Sequence, residues 1–455
     1  MRPTTAGAHL RNATFTCLIL ASLAGGIGGA QAVVPPVPAV EGPITGPGEM
    51  HPGIRPGPDG TNLQDFGYVT EEYFVSGTAA GQPYKTRILI RKPPTPQQFS
   101  GMVVGEPTHR GGNALICQYA RFGIGKRGHG CVTVAARRIN LNNPATPGAG
   151  LKEFNLERYG SLQVADSQTN EIIAQVGRLI RSNLSGGPMG DYAVSLLILS
   201  GTSDSSAATR AYMSSSAQLD HADLRMPDGG PIHQGFFVTS TLGNAIVPIT
   251  DVPTIQMPSQ SEVHDQSSAT QGGVLVGVQY RRPDSDAPGN QFRIYEVAGM
   301  SHNDARENPA FEGCTHPLSH FPHGALTFMG LQHLLDWSAL GTVPPRAPSY
   351  METSTVLANG TRVVLDEHGN ARGGVRSTYL DVPAFTFTIP NTGPGLCSQT
   401  GWITPFSSEE MKALYRNHGG YVSRVQHRLK ELMDEGFFPR EYADEYPRAD
   451  IQLAN

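Results

Sequence analysis

The stretch Leu199-Ser-Gly-Thr-Ser-Asp-Ser-Ser-Ala-Ala208 puts a serine, Ser203, two residues after a glycine and just behind the apolar run Val194 to Leu199. It resembles the G-x-S-x-G turn, in which an abrupt strand-to-helix reversal lifts a hydroxyl above the edge of a sheet. Gly201 is the small residue that such a turn needs before the nucleophile, and Ser205 stands where a second glycine is usual. The start of the following helix would face developing negative charge with unpaired N–H groups. A serine nucleophile requires a base. Arg293-Ile-Tyr-Glu-Val-Ala-Gly-Met-Ser-His302 reads as a strand, a small-residue turn and a histidine, which projects an imidazole at the C-terminal edge of a parallel sheet. The base in turn needs a carboxylate to hold its tautomer, and Glu262 lies just beyond the apolar run Thr254 to Met257. Asp265 is its near rival, and Asp251 lies at the wrong end of that run. Ser203, His302 and Glu262 together could attack a carbonyl, form an acyl-enzyme and release it to water, with no cofactor.

Acyl transfer also needs two N–H donors for the oxyanion. Asp204, which follows the serine, is the candidate for the first. The loop Glu106-Pro-Thr-His-Arg-Gly-Gly112 is the candidate for the second, through Thr108 or His109, because Pro107 has no N–H. Cys314, His316, His320 and His323 carry zinc-type ligand chemistry. Pro317 and Pro322 break any single helical face among them, so no metal is expected there and the imidazoles are read as lining or covering the His302 edge.

These groups must be positioned by an α/β architecture. Tyr68 to Val75 and Tyr84 to Arg91 read as an antiparallel opening pair. Met102 to Val104, Cys131 to Ala135 and Val194 to Leu199 are short apolar runs of the kind buried on both faces of a parallel sheet, and two more strands are expected at Thr254 to Met257 and Arg293 to Val297. Ser167 to Arg181 has apolar residues at helical spacing and reads as a crossover helix, and Ala325 to Leu340 as a long amphipathic one. The expected organisation is a Pro/Gly-rich extended lead-in over 33–63, a main domain over 64–405 with 217–250 as a cap or insertion, and a C-terminal helical extension over 406–455. Residues 1–32 read as a secretory leader: Arg2 and Arg11, an apolar core, then Ala30-Gln-Ala32 before the expected cleavage. No later segment is apolar enough to span a membrane. The four cysteines beyond the leader suit two bridges in an oxidising compartment, and Cys117 with Cys131 and Cys314 with Cys397 is the preferred pairing.

Five stretches carry a resemblance to a known family: Gly67 to Gly77, Glu157 to Leu162, the Ser203 turn, Phe292 to His302 and Gly395 to Trp402. With Ser203, Glu262 and His302 in that order, the chain resembles the α/β-hydrolase superfamily, and within it a large bacterial group known only as α/β-hydrolase domain proteins, many of them secreted. The resemblance implies an α/β-hydrolase fold, with a mostly parallel sheet flanked by helices. In that group an aspartate usually stands where Glu262 aligns, after a Ser-Glu-Thr pattern that is here Ser259-Gln260-Ser261. The loop after the third strand, often rich in Trp, Leu and Asn, is here Glu106 to Gly112.

Composition narrows the partners. Lys and Arg number 34 against 39 Asp and Glu, a formal charge of -5 without basic tracts, which lacks the footprint that a phosphate backbone demands. With 53 Gly and 36 Pro in 455 residues, the chain is rich in turns and is no helical bundle. The expected partner is a small-molecule ester. An amidase or peptidase using the same three residues, or a hydrolase-fold binding protein without turnover, are the alternatives.

Overall fold

The computed structural model describes residues 1, 32–57, 61–241, 246–267, 270–271, 274–275, 278–305, 313–354 and 362–444. The leader expected over 1–32 falls, apart from its two end residues, outside the described residues. The compact unit that begins at Ala32 is built on a nine-stranded sheet whose strands are β1 (Ala39–Glu41), β2 (Val69–Ala79), β3 (Gln82–Lys92), β4 (Met102–Pro107), β5 (Gly130–Val134), β6 (Leu196–Thr202), β7 (Phe236–Thr239), β8 (Thr254–Met257) and β9 (Phe292–Ile294). Their spatial order is β1-β2-β3-β5-β4-β6-β7-β8-β9. The pairs from β1 to β5 along that order are antiparallel, and all pairs from β5 to β9 are parallel.

Every residue of β5, β6, β7 and β8 is buried, as expected of strands covered on both faces. The predicted crossover helix forms as Thr169–Arg181 and buries Ile172, Ile173, Val176, Leu179 and Ile180 between β5 and β6 in the chain. The long helix His323–Leu340 ends at Gly341, whose φ of 69° is the left-handed cap that glycine adopts without strain. Both disulfides join the preferred pairs, Cys117 with Cys131 and Cys314 with Cys397.

Two expectations change. Residues 217–250, read as a cap or insertion, contain β7, an interior strand hydrogen-bonded to both β6 and β8. Its four residues Phe-Phe-Val-Thr are too short a run to stand out from the surrounding Gly and Pro breaks. The part before β7 lies beneath the strands' N-terminal edge: His221 Nε2 is 2.6 Å from the carboxylate of Asp251, just upstream of β8. The lead-in is also more than extended chain. It supplies β1, buries His51 and Ile54, and accepts the Arg91 guanidinium at the Pro52 carbonyl. At the other end, helices Ser408–Tyr415 and His418–Glu435 pack back through Tyr415, Tyr421, Val425, Leu429 and Leu432, all buried.

Candidate active site

At the C-terminal end of β6 the chain reverses within one residue into α1 (Asp204–Met213). Ser203 occupies that corner with φ 54° and ψ -122°, a conformation costly for any residue with a Cβ. Gly201 is required by the close packing of the turn, because a Cβ there would lie 2.5 Å from the Ser205 carbonyl oxygen and 2.7 Å from Thr209 Oγ1. Ser205 does more than stay small. Its hydroxyl accepts from the Thr202 N–H at 3.0 Å, lies 2.9 Å from the Thr202 carbonyl oxygen and is 3.2 Å from Glu106 Oε1, so it braces the corner from inside.

His302 and Glu262 reach this corner from the chain beyond β9 and β8, three and two strands along the sheet from β6. Ser203 Oγ lies 3.0 Å from His302 Nε2, and His302 Nδ1 lies 2.6 Å from Glu262 Oε1. The second carboxylate oxygen of Glu262 accepts the Ser259 N–H at 2.7 Å, and the Ser261 hydroxyl accepts the His302 N–H at 3.0 Å. Gln260 binds the same turn from the other side, with its N–H on the Met300 carbonyl and its Oε1 accepting from Gly299 N–H. The Ser-Gln-Ser-Glu segment thus fixes both the acid and the imidazole. Glu262 and His302 are 2% and 6% exposed, which protects their hydrogen bond from competing water. Asp265, the rival acid, is raised by burial and by the Glu262 charge, and Asp251 is engaged by His221 and Arg225 at the far edge.

The three backbone N–H groups expected at the oxyanion differ in what they already bind. Among the described hydrogen bonds the Asp204 N–H, in the first turn of α1, has no intrahelical acceptor, as its position dictates. The backbone N–H groups of Thr108 and His109 do not wait for a ligand: Thr108 donates to the Val134 carbonyl at 2.8 Å and His109 to the Asn113 carbonyl at 2.9 Å. Both amides are excluded as second donors in this arrangement because each acceptor is in place. The His109 ring differs. Its Nδ1 accepts the Gly111 N–H at 2.9 Å, which puts the ring proton on Nε2. Burial, assisted by the Arg137 charge and opposed by Asp204, pushes the imidazole down to about 4 and keeps it neutral.

Two residues at the site went unread in the sequence. Arg137, just past β5, donates to the Thr108 carbonyl at 2.8 Å and pairs with Asp204 at 2.6 Å. Burial opposes ionisation of Asp204, but that guanidinium, with the Arg110 N–H, holds its carboxyl below the usual range. Glu106, at the end of β4, accepts the Leu115 and Ile116 N–H groups at 3.0 Å each; burial pushes it up to about 8 against those bonds. An acid closing the apolar run Met102 to Gly105 was the available signal.

Ser203 and His302 open on a cavity of about 820 Å³, whose walls include His109, Asn113, Tyr119 and Gln399. That volume suits a drug-sized small molecule. The imidazoles expected to cover this edge are not in its described walls. His316 stacks on Trp402 at 3.9 Å, His323 pairs with Asp304 at 3.0 Å, and the Cys314 sulfur is in its disulfide.

Residues 40–448 match the model of a family described as alpha/beta hydrolase domain. No curated protein matches the chain. Among solved structures it is similar to esterase Est22, at 10% identity and a TM-score of 0.28, over 43% of this chain and 64% of that one, so it spans somewhat less than two thirds of that protein. A zinc-bound structure of a cold-adapted esterase from an Arctic intertidal metagenomic library is similar over 50% of this chain and 84% of its own, at 11% identity and a TM-score of 0.25.

Proposed function

The chain belongs to the alpha/beta hydrolase domain family, and from that membership we propose that it is a secreted serine esterase that cleaves carboxylic esters through an acyl-enzyme. The observation that carries this reading is the unbroken line of hydrogen bonds from Ser203 Oγ through the His302 ring to Glu262, at 3.0 and 2.6 Å, ending on a hydroxyl held in a strained corner. Glu262 accepts a hydrogen bond from the Nδ1–H of His302, which leaves the Nε2 lone pair for the serine. As Ser203 attacks the ester carbonyl, His302 takes its proton and then gives it to the departing alcohol. Water, deprotonated by the same ring, releases the acid and restores the serine.

The Asp204 N–H is the first oxyanion donor. We assign the second to the ring of His109, a residue of the cavity wall that Ser203 also lines, with its proton on Nε2. Ester substrates are favoured over peptides with a free amine because Asp204, the one carboxylate among the described walls, is already paired with Arg137. Secretion is supported by the leader pattern and by two disulfides, which persist in oxidising compartments. Among the described residues no helix is long and apolar enough to cross a membrane.

Replacing Ser203→Ala should abolish turnover of a short p-nitrophenyl ester and labelling by a fluorophosphonate probe, with the melting temperature nearly unchanged. Wild-type protein that neither labels nor turns over any ester would leave a binding protein on a hydrolase scaffold. Full activity in the variant would remove Ser203 from the mechanism.

A further inference from the structure

The two oxyanion donors assigned above come from different segments, and their spacing is not set by the sheet. Asp204, whose N–H is the first donor, opens α1, and His109, whose ring is the second, belongs to the loop after β4. The ladder between β4 and β6 runs to Gly105 and Leu199. Beyond it, loop and helix are held by side chains, and Arg137, just past β5, lies between them. Its Nη2 carries two protons and meets two acceptors, the Thr108 carbonyl at 2.8 Å and Asp204 Oδ2 at 2.6 Å. The same Asp204 oxygen accepts the Arg110 N–H at 2.8 Å. The residues on either side of His109 are thus bound to the residue after the nucleophile, one through the guanidinium and one directly. The chain behind Arg137 completes the frame, since Asn140 Nδ2 donates to the Thr108 carbonyl at 2.9 Å and Asn143 Nδ2 to the Arg110 carbonyl at 2.6 Å. Arg137 Nε is buried and has no hydrogen-bond partner among the described residues, so the guanidinium is oriented by its Nη2 contacts at the expense of another donor. The Arg137 side chain is mostly buried and is absent from the described cavity walls, so whatever it does to a substrate it does through its neighbours.

We propose that Arg137 is a positioning residue that sets the spacing of the two oxyanion donors. Its guanidinium ties the nucleophile's helix to the His109 loop, so that the Asp204 N–H and the His109 ring close on one oxygen. This rests on the serine-esterase reading and on the His109 donor assigned above. Donors stabilise a developing oxyanion only when they are fixed before the reaction, and a displacement of about 1 Å can cost on the order of 100-fold in rate. A guanidinium suits the task, because it stays charged at every physiological pH and its planar fork directs protons to two acceptors at once. Since oxyanion contacts are made most strongly in the transition state, disturbing them falls on kcat more than on KM.

The test is steady-state kinetics on one p-nitrophenyl ester with Arg137→Gln, Arg137→Lys and Asp204→Ala, with Arg137→Gln also made in the Asp204→Ala and His109→Ala backgrounds. Arg137→Gln should lower kcat by about tenfold or more with a much smaller change in KM. Arg137→Lys, which keeps a charged donor, should recover part of the loss. Asp204→Ala should reproduce it, and adding Arg137→Gln to that variant should cost little more, because the two side chains act as one pair. In the His109→Ala background Arg137→Gln should lose most of its effect, since the donor that it positions is gone. A kcat within about twofold of wild type in Arg137→Gln overturns the proposal. So does an equal fold-loss with and without His109, which is what a merely structural role would give. If Arg137→Gln does not fold, Arg137→Lys carries the same comparison in both backgrounds. Wild-type protein that neither turns over an ester nor takes up a fluorophosphonate removes the esterase reading and the proposal with it, whereas an active wild type with an unaffected Arg137→Gln removes the proposal alone.

Discussion

Around Ser203, side chains and backbone compete for the same few donors, and the outcome decides what each residue can do. Thr108 and His109 looked equivalent as sources of an N–H, yet both amides already have carbonyl acceptors, while the His109 ring has its proton directed to Nε2 by Gly111. The assigned role makes a definite demand. Removing one oxyanion donor typically costs on the order of 100-fold in kcat, so His109→Ala should lose about that much with a smaller change in KM. His109→Gln, whose amide can still donate, should recover part of the loss. Steady-state kinetics on one ester decide it: kcat within twofold of wild type in His109→Ala excludes the ring as a donor. Ser205 makes a related point. Its place in the motif reads as an imperfect glycine, but its hydroxyl bonds to Thr202 and approaches Glu106, contacts that glycine cannot make.

At the scale of elements, segments far apart in the chain lock the strands that end at the site. Glu72 on β2 accepts from Arg87 on β3, from Arg158 at 2.6 Å and from the Tyr159 hydroxyl at 2.8 Å, which joins two of the stretches that carried the family resemblance. The closing stretch does the same on the other side, where the Asn303 N–H donates to the Gln399 carbonyl beside His302. Helix Leu115–Tyr119 is tied twice: Glu106 accepts its first N–H groups, and Cys117 bonds to Cys131 on β5. A bridge separated by 14 residues restricts the unfolded chain by about 3 kcal/mol in the loop-entropy account. Cys117→Ala with Cys131→Ala should therefore lower stability by about that amount and depress the melting temperature, read by thermal unfolding. An unchanged melting temperature would mean that Glu106 and the core hold the helix without the bridge.

Over the whole molecule, stability should follow the buried histidines. Burial pushes His51 and His109 down to about 4, with Arg87 and Arg137 respectively acting in the same direction, and lowers His129, His233, His264 and His333 as well. A histidine whose folded value lies below its unfolded 6.5 takes up a proton on unfolding between those two values, so stability is full above pH 6.5 and falls as the pH drops toward 4. His51, for one, should contribute on the order of 3 kcal/mol to that fall. Glu106 works the other way: raised to about 8, its contribution is full below its ordinary value and fades as the pH rises through 8. Six lowered histidines, against Glu106, Asp265 and Asp284 raised, predict a melting temperature that drops steeply below pH 6.5, with the slope reduced in His109→Gln; a flat profile from pH 7 to 4.5 would refute the account. Seven of the nine strands of the main sheet, the crossover helix, the serine turn and the cysteine pairing were legible in the sequence, because periodicity, small-residue turns and spacing are local properties. Tertiary structure alone decided that β7 lies inside 217–250, that the lead-in packs and that the amides of Thr108 and His109 are occupied. Each of those outcomes depends on which distant group arrives first at a given hydrogen-bonding atom or charge, and no local pattern in the chain encodes that competition.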